Sequence, residues 1–309
     1  MKLTNQQKAY LYAILAIIAW SSISTAFKLS LKFLSPLGLL FFASLTATLF
    51  LGLANLPNIR TNTGKTSNLF TSFRANVCKS LLAGLLNPLF YYLLLFQAYS
   101  RLRAQEAQAL NYTWAIVLAL FSIWLLKERF RLADFAALLI SFTGVLIIST
   151  KGRLSSLQFD DPWASFLALA TSVIWALYWI INLKDSRPAL QKLFYNFLVG
   201  FSFIACYLAV SQAKLFIPGT KQVFGILGGI YVGIFEMGLT FLLWFKALEF
   251  TENTAKISNL IFVTPFISLI FIAQILGERI DPATFAGLGL IVLSNLVQKG
   301  AFRFLKWNK

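Results

Sequence analysis

Long apolar runs recur from one end of this 309-residue chain to the other, separated by short polar segments. A helix of about 20 mostly apolar residues is long enough to cross the hydrocarbon core of a bilayer. The pattern therefore predicts ten transmembrane helices, at Ala9–Leu31, Leu37–Leu56, Val77–Tyr99, Ala104–Leu126, Leu132–Ser149, Trp163–Leu183, Leu193–Ser211, Val223–Phe245, Thr254–Leu276 and Ala283–Val297. The longest polar stretch, residues 57–76, is predicted to be a loop.

The two halves of the chain resemble each other. The segment Leu110–Leu146 aligns with Leu260–Leu296 at a constant offset of 150 residues, and a Glu-Arg pair stands at the same helix end in both. Because each half holds five predicted spans, an odd number, the second half must enter the membrane from the opposite side. We therefore expect an all-α membrane protein of two inverted five-helix repeats, residues 1–150 and 151–309.

Charge and composition agree with a membrane protein. Hydrophobic residues make up 58% of the chain, the mean hydropathy is +0.73 and the net charge is +16. Alternate loops divide most of the Lys and Arg residues 16 against 9, and the richer side includes both termini. The positive-inside rule then predicts cytoplasmic termini, in keeping with an even number of spans. No basic stretch is interleaved with a soluble fold, so nucleic acid is not expected as a partner.

The chain lacks the residues that several kinds of metal binding and catalysis require. The chain has no histidine, and its only cysteines, Cys78 and Cys206, lie on different predicted spans. Asp161-Pro162 and Asp281-Pro282 each have the form of a helix N-cap followed by proline, so these aspartates are predicted to be caps. No metal site, cofactor, nucleotide-binding loop or paired catalytic carboxylates is expected, and therefore no enzyme.

Glu236 is the leading candidate for a functional residue. It lies about twelve residues into the apolar run Val223–Trp244, near the predicted bilayer midplane, where an ionisable group is costly. Thr240 shares its helical face. We interpret Glu236 as a carboxylate that binds a substrate ammonium group or a coupling proton. The alternative is a structural acid that bonds to a neighbouring helix.

Further candidates are polar or aromatic side chains inside apolar runs. Buried amides and hydroxyls need partners, which a wet cavity or a facing helix supplies. Aromatic rings suit flat or cationic solutes, although such stripes also serve packing. With Glu236 and Thr240, the predicted substrate-binding set is Trp20, Ser21, Tyr91, Asn111, Tyr112, Trp175, Tyr178, Trp179, Asn259 and Phe262.

The ten spans, the repeat and two helix endings carry a family resemblance. The endings are Leu-Lys-Glu-Arg at 126–129 and Leu-Gly-Glu-Arg at 276–279. Together they resemble the drug/metabolite transporter superfamily, in its EamA-type branch. The stretch 106–114, Glu-Ala-Gln-Ala-Leu-Asn-Tyr-Thr-Trp, is similar to the fourth span of bacterial aromatic amino-acid exporters. Glu236 departs from the pattern of those exporters.

The resemblance implies a monomeric carrier in a bacterial inner membrane. It would move a small organic solute by alternating access around a midplane cavity, with export of amino acids or related metabolites as the leading interpretation. Uptake or exchange of a nucleoside-like or adenosyl metabolite stays open, and so does a non-transporting scaffold or lipid-binding protein. Direction and coupling ion are left open by the sequence.

Overall fold

The computed structural model describes residues 3–60, 74, 76–125, 132–153, 161–251, 257 and 260–298, which are helical almost throughout. The helices are α1 (Asn5–Ser30), α2 (Pro36–Arg60), α3 (Val77–Gly84), α4 (Tyr91–Arg101), α5 (Ala104–Asn111), α6 (Trp114–Leu125), α7 (Leu132–Ser149), α8 (Pro162–Leu183), α9 (Ala189–Ser211), α10 (Gln222–Phe235), α11 (Leu239–Phe250), α12 (Thr264–Leu276) and α13 (Pro282–Gln298). A wide helical turn, Leu85–Phe90, joins α3 to α4, and a 3₁₀ turn, Leu260–Val263, leads into α12.

Within the part of the chain that the structure describes, six helical stretches are long and apolar enough to cross a membrane. They are Asn5–Ser30, Pro36–Leu56, Val77–Arg101, Pro162–Asn182, Ala189–Ser211 and Gln222–Phe250. Shorter apolar helices cover Phe135–Ile148, Leu260–Leu276 and Pro282–Val297. Large apolar side chains such as Leu53, Trp124 and Val210 are exposed on the outside, as expected where helices face hydrocarbon.

Side chains at the helix starts explain where several helices begin. Thr4 and Gln7 form a reciprocal capping box at the start of α1. The Asp161 carboxylate accepts a hydrogen bond from the Ala164 N–H at 2.9 Å, and Asp281 accepts one from the Ala283 N–H at 2.9 Å. The predicted capping role of both aspartates is confirmed.

Contacts between the two halves of the chain come in matching pairs. Helix α1 packs on α11 and α12, while α8 packs on α4 and α6; α2 packs on α10, while α9 packs on α3. Helices α7 and α13 cross at Gly144 and Gly287. A Cβ atom on either glycine would lie 2.6 Å from the carbonyl oxygen of the other. The absence of side chains there lets the two backbones touch.

Three of the predicted spans are interrupted rather than continuous. Around Asn87, with φ −145° and ψ 117°, the chain leaves helical geometry, and Pro88 has no N–H to donate. A tight turn at residues 112–113 separates α5 from α6, and residues 236–238 separate α10 from α11. Each interruption frees backbone groups within an apolar bundle, so polar side chains gather beside it.

Candidate functional site

A cavity of about 570 Å³ lies between helices of both halves. This volume falls in the range that holds a small organic ligand. Half of its lining is aromatic, and one carboxylate, Glu236, belongs to it. The lining consists of Trp20, Ile23, Ser24, Phe27, Tyr91, Leu95, Tyr99, Gln108, Asn111, Tyr112, Trp114, Ala115, Leu118, Trp175, Trp179, Glu236, Phe241, Trp244, Leu248, Ile261, Phe262 and Asn295.

Glu236 occupies the interruption between α10 and α11, which the apolar run alone did not predict. Gly238 follows, with its Cα so close to α2 that a Cβ would lie 2.7 Å from the Phe50 ring. The Thr240 hydroxyl donates a short hydrogen bond to the Phe235 carbonyl, one of the groups freed by the break. The Thr240 hydroxyl is thus hydrogen-bonded to the backbone, and Thr240 does not line the large cavity in the structure.

Close packing against α2 determines how α10 is placed. A Cβ on Gly229 would lie 2.5 Å from the Phe42 Cβ, and one on Gly233 would lie 2.5 Å from the Ala43 carbonyl oxygen. These two glycines, which share a predicted face with Glu236, therefore serve helix packing. Beyond them the chain breaks, and the carboxylate of Glu236 is left in the cavity wall.

The immediate partner of Glu236 is neutral. The fully buried Tyr92 hydroxyl donates to Glu236 Oε1 at 3.0 Å, and no ion pair within the described part of the chain includes Glu236. A half-buried carboxylate without a cation keeps its attraction for one. Chemically, this group can accept a proton or bind an organic cation.

The Asn111 amide holds two walls of the cavity together. Its Oδ1 accepts from the Tyr91 hydroxyl at 3.3 Å, and its Nδ2 donates to Thr171 Oγ1 on α8 at 2.8 Å. The neighbouring turn is fixed by Ser172, whose hydroxyl donates to the Asn111 carbonyl at 3.0 Å. These bonds position Asn111 and Tyr91 at the lining.

A belt of hydrogen bonds closes the bundle where α1 ends. The Lys28 ammonium donates to the Tyr99 and Leu102 carbonyls, both at 2.8 Å. The buried Gln105 side chain accepts from the Asp281 N–H at 2.9 Å, and Glu278 Oε1 accepts from the Ala104 N–H at 2.9 Å. Residues from both halves are therefore linked across this end.

Of the eleven predicted residues that the structure describes, eight meet at the large cavity and three do not. Ser21 donates to the Ile17 and Thr264 carbonyls and so joins α1 to α12. Tyr178 lines a smaller cavity of about 210 Å³, together with Asn182 and Lys192. Thr240 bonds to the helix break, and Asn259 lies outside the described residues. The eight at the cavity are Trp20, Tyr91, Asn111, Tyr112, Trp175, Trp179, Glu236 and Phe262.

Sequence reasoning missed other lining residues. Tyr99, Phe241 and Asn295 belong to the wall, although none carries a motif. Their signal was weak, since Phe241 is one of 31 phenylalanines and Asn295 lies near the end of the last predicted span. Ser24, another lining residue, forms a hydrogen bond with the Tyr99 hydroxyl at 2.8 Å.

The described residues hold no group of three or more His, Cys, Asp or Glu side chains that could bind a metal ion. Apolar helices around a ligand-sized cavity with a few convergent polar groups are typical of a membrane transporter. The model of the EamA-like transporter family matches residues 7–150 and 162–297. The chain therefore belongs to the EamA-like transporter family, and it is a multi-pass membrane protein.

Individual relatives are distant. The chain is 23% identical to the aromatic amino acid exporter YddG of Salmonella typhimurium over 311 residues, covering 95% of this chain and 97% of that protein. It is 24% identical to an uncharacterized transporter of Archaeoglobus fulgidus, covering 94% and 96%. An uncharacterized transporter of Clostridium kluyveri is 24% identical over 200 residues, which are 63% of either chain. One solved protein structure shares the fold, with a TM-score of 0.65, 20% identity and coverage of 97% and 99%.

Proposed function

We propose that this protein is a secondary carrier for a small organic solute, with aromatic amino acids and their derivatives as the leading class. The observation that carries the proposal is the Glu236 carboxylate, which faces an aromatic cavity and, among the described residues, forms its side-chain hydrogen bond with the neutral Tyr92 hydroxyl. The relationship to YddG, an aromatic amino acid exporter, supports the solute class.

Within this proposal the lining residues have separate roles. Glu236 binds the ammonium group of the solute or a coupling proton. Asn111, Tyr112, Trp175 and Trp179 shape the pocket and orient the ring of the solute by stacking and hydrogen bonding. Transport needs no catalytic step on the solute, and the site is a binding site.

We further propose ten membrane spans in two inverted halves, residues 1–150 and 151–309, in a monomer with cytoplasmic termini in a bacterial inner membrane. Two matches of the family model, one in each half, support this division. The matching pairs of helix contacts support it too, since an inverted repeat makes every contact between halves occur twice.

Alternating access requires that the cavity open to each side in turn. The belt around Lys28, Gln105 and Glu278 would close one side, and the solute would enter from the other. Opening the belt exchanges its hydrogen bonds for bonds to water, so the cost of the transition is moderate.

Counterflow in proteoliposomes tests the carrier function. Vesicles loaded with unlabelled solute are given the same labelled solute, across a panel of amino acids, aromatic amines and adenosyl metabolites, with and without a pH gradient. We expect saturable exchange of one class, lost in Glu236→Gln and kept in Glu249→Gln, whose carboxylate is exposed and pairs with Lys246. Exchange of adenosyl compounds alone would favour the alternative that the solute is a nucleoside-like or adenosyl metabolite. No exchange of any solute would contradict the carrier.

A further inference from the structure

The lining of the large cavity includes an acidic side chain but no basic one. Among the described lining residues Glu236 is the only carboxylic acid, and none is a lysine or arginine. The nearby Lys28 ammonium bonds to two carbonyl groups at the closed end. Lys192 lines the smaller cavity, which shares Trp179 and Phe241 with the large one, and its ammonium group donates to the Asn182 and Asp185 carbonyls. The large cavity therefore presents a negative group without a positive one.

A continuous row of rings leads away from the carboxylate. Tyr91 contacts Trp175 with ring centroids 4.7 Å apart, and Trp175 contacts Phe241 at 6.1 Å. Trp20 lies beyond, 5.8 Å from Phe241 and 5.6 Å from Trp244. Ring faces attract cations as well as other rings, so this wall accommodates both parts of an aromatic cation.

Neutral polar groups complete the lining. Gln108 Oε1, Trp179 Nε1 and both amide atoms of Asn295 are buried without a hydrogen-bond partner among the described residues. Unsatisfied groups of this kind are costly unless a ligand or water meets them. They match an uncharged substituent, such as a phenol hydroxyl or an indole N–H.

Resting on the proposed carrier function, we propose that the solute is a protonated arylalkylamine that lacks a carboxylate. Its ammonium group pairs with Glu236, and its ring lies along Tyr91, Trp175 and Phe241. A free amino acid fits less well because its carboxylate would leave water for a cavity without a cation and would be repelled by Glu236.

A matched set of four compounds tests the charge requirement. Phenethylamine and phenylalaninamide are cations, phenylalanine is a zwitterion and 3-phenylpropionate is an anion, all with the same phenyl ring. Each competes with labelled phenethylamine in counterflow. We expect both cations to inhibit at concentrations at least ten-fold lower than phenylalanine, and the anion not to inhibit. Phenylalaninamide separates the effect of charge from that of size, because a neutral amide group of similar size replaces the carboxylate of phenylalanine.

Variants show where the preference arises. Glu236→Gln is expected to reduce the binding of both cations at least ten-fold, measured by tryptophan fluorescence in detergent, while Glu249→Gln leaves it unchanged. Exchange of phenylalanine as well as or better than phenethylamine would overturn the amine proposal and leave the carrier standing. Exchange of another solute without any binding of phenethylamine would also overturn it. Absence of exchange across the wider panel would instead refute the carrier function itself.

Discussion

Two carboxylates inside the helical bundle, Asp185 and Glu236, have opposite surroundings. Asp185 lies between α8 and α9 and pairs with Arg187, Nη2 to Oδ2 at 2.6 Å, with side chains only 4% and 5% exposed. Arg187 also donates to Ser80 Oγ at 2.9 Å. Glu236 has one neutral partner, Tyr92 at 3.0 Å, and borders a cavity. The first acid is satisfied by the protein, whereas the second is left available to a ligand.

Asp185 and Arg187 form a structural ion pair, whereas we propose that Glu236 binds the solute. A buried charge costs little when a partner with good geometry compensates it, and it becomes a liability when that partner is removed. Disturbing the Asp185–Arg187 pair should therefore act on stability. Disturbing Glu236 should act on solute binding and leave the fold intact.

Arg187→Met should have the largest effect. It leaves the Asp185 carboxylate buried without its cation, and the loss of stability should be about 3–5 kcal/mol. Thermal unfolding in detergent measures it. In the double variant Asp185→Asn/Arg187→Met most of the stability should return, because neither charge is then left alone. Equal instability of the single and double variants would contradict the pairing.

Glu236→Gln should abolish exchange with little change in unfolding temperature. Removing one charge of a desolvated pair costs about 2–5 kcal/mol of binding, so the rate at low solute concentration should fall about 100-fold or more. Initial rates of counterflow measure this change, with Glu249→Gln as the matched surface control. A strongly destabilised but transport-competent Glu236→Gln would reverse the assignment.

Acid should weaken the ion pair. Burial raises the pKa of Asp185, but hydrogen bonds from the Arg187 side chain and backbone outweigh it and hold the pKa below its ordinary value. The stabilisation is therefore complete above about pH 3.9, the usual aspartate pKa, and is lost as the pH falls through the lowered pKa. Unfolding temperatures between pH 2 and pH 6 should show this loss in the wild type and not in Asp185→Asn/Arg187→Met.

Tyr92→Phe should reduce exchange by about ten-fold, less than Glu236→Gln. It removes only the hydroxyl that holds the carboxylate in place, and a hydrogen bond to a charged group contributes about 1.5–3 kcal/mol. Solute affinity in counterflow is the readout. Tyr12→Phe, at a ring stacked on Phe250 away from the cavity, is the control and should behave as wild type.

Ser80→Ala should have the smallest effect. It deletes one hydrogen bond to Arg187 while the pairing with Asp185 persists, so stability should drop by about 1 kcal/mol. Exchange by the folded protein should not change. A loss as large as that of Arg187→Met would mean that Ser80, and not Asp185, is the main partner of the guanidinium.

The sequence located the helices and singled out Glu236, but it predicted only part of the cavity lining around that residue. Apolar runs located the helices because lipid contact imposes a strong length requirement, and the cost of a charge in a span singled out Glu236. Periodicity assigned Thr240 to the face of Glu236, yet the helix breaks between them and its hydroxyl bonds to the backbone. That break depends on Gly238 packing against Phe50, a contact remote in sequence.

The sequence also misplaced or missed other residues, because their positions depend on contacts that are remote in sequence. A helical pattern shows which residues share a face, but not which helix that face meets. Ser21 was predicted to line the cavity because it is a polar residue in an apolar span. In the structure its hydroxyl donates to the Thr264 carbonyl on a neighbouring helix. Tyr99 and Phe241 looked like ordinary packing residues and lie at the cavity. The Asp185–Arg187 pair, two residues apart in a loop, carried no pattern that marks a buried ion pair.

Protection of Glu236 from carbodiimide modification tests the central claim most directly. Carbodiimides react with carboxyl groups in apolar surroundings, and peptide mass spectrometry reports Glu236 and the exposed Glu249 in the same sample. The solute that exchanges best in counterflow should slow modification of Glu236 in proportion to its occupancy and leave Glu249 unaffected. At a saturating concentration of that solute, an unchanged yield of the carbodiimide adduct at Glu236, with no amide formed between Glu236 and an amine solute, would show that the solute binds elsewhere.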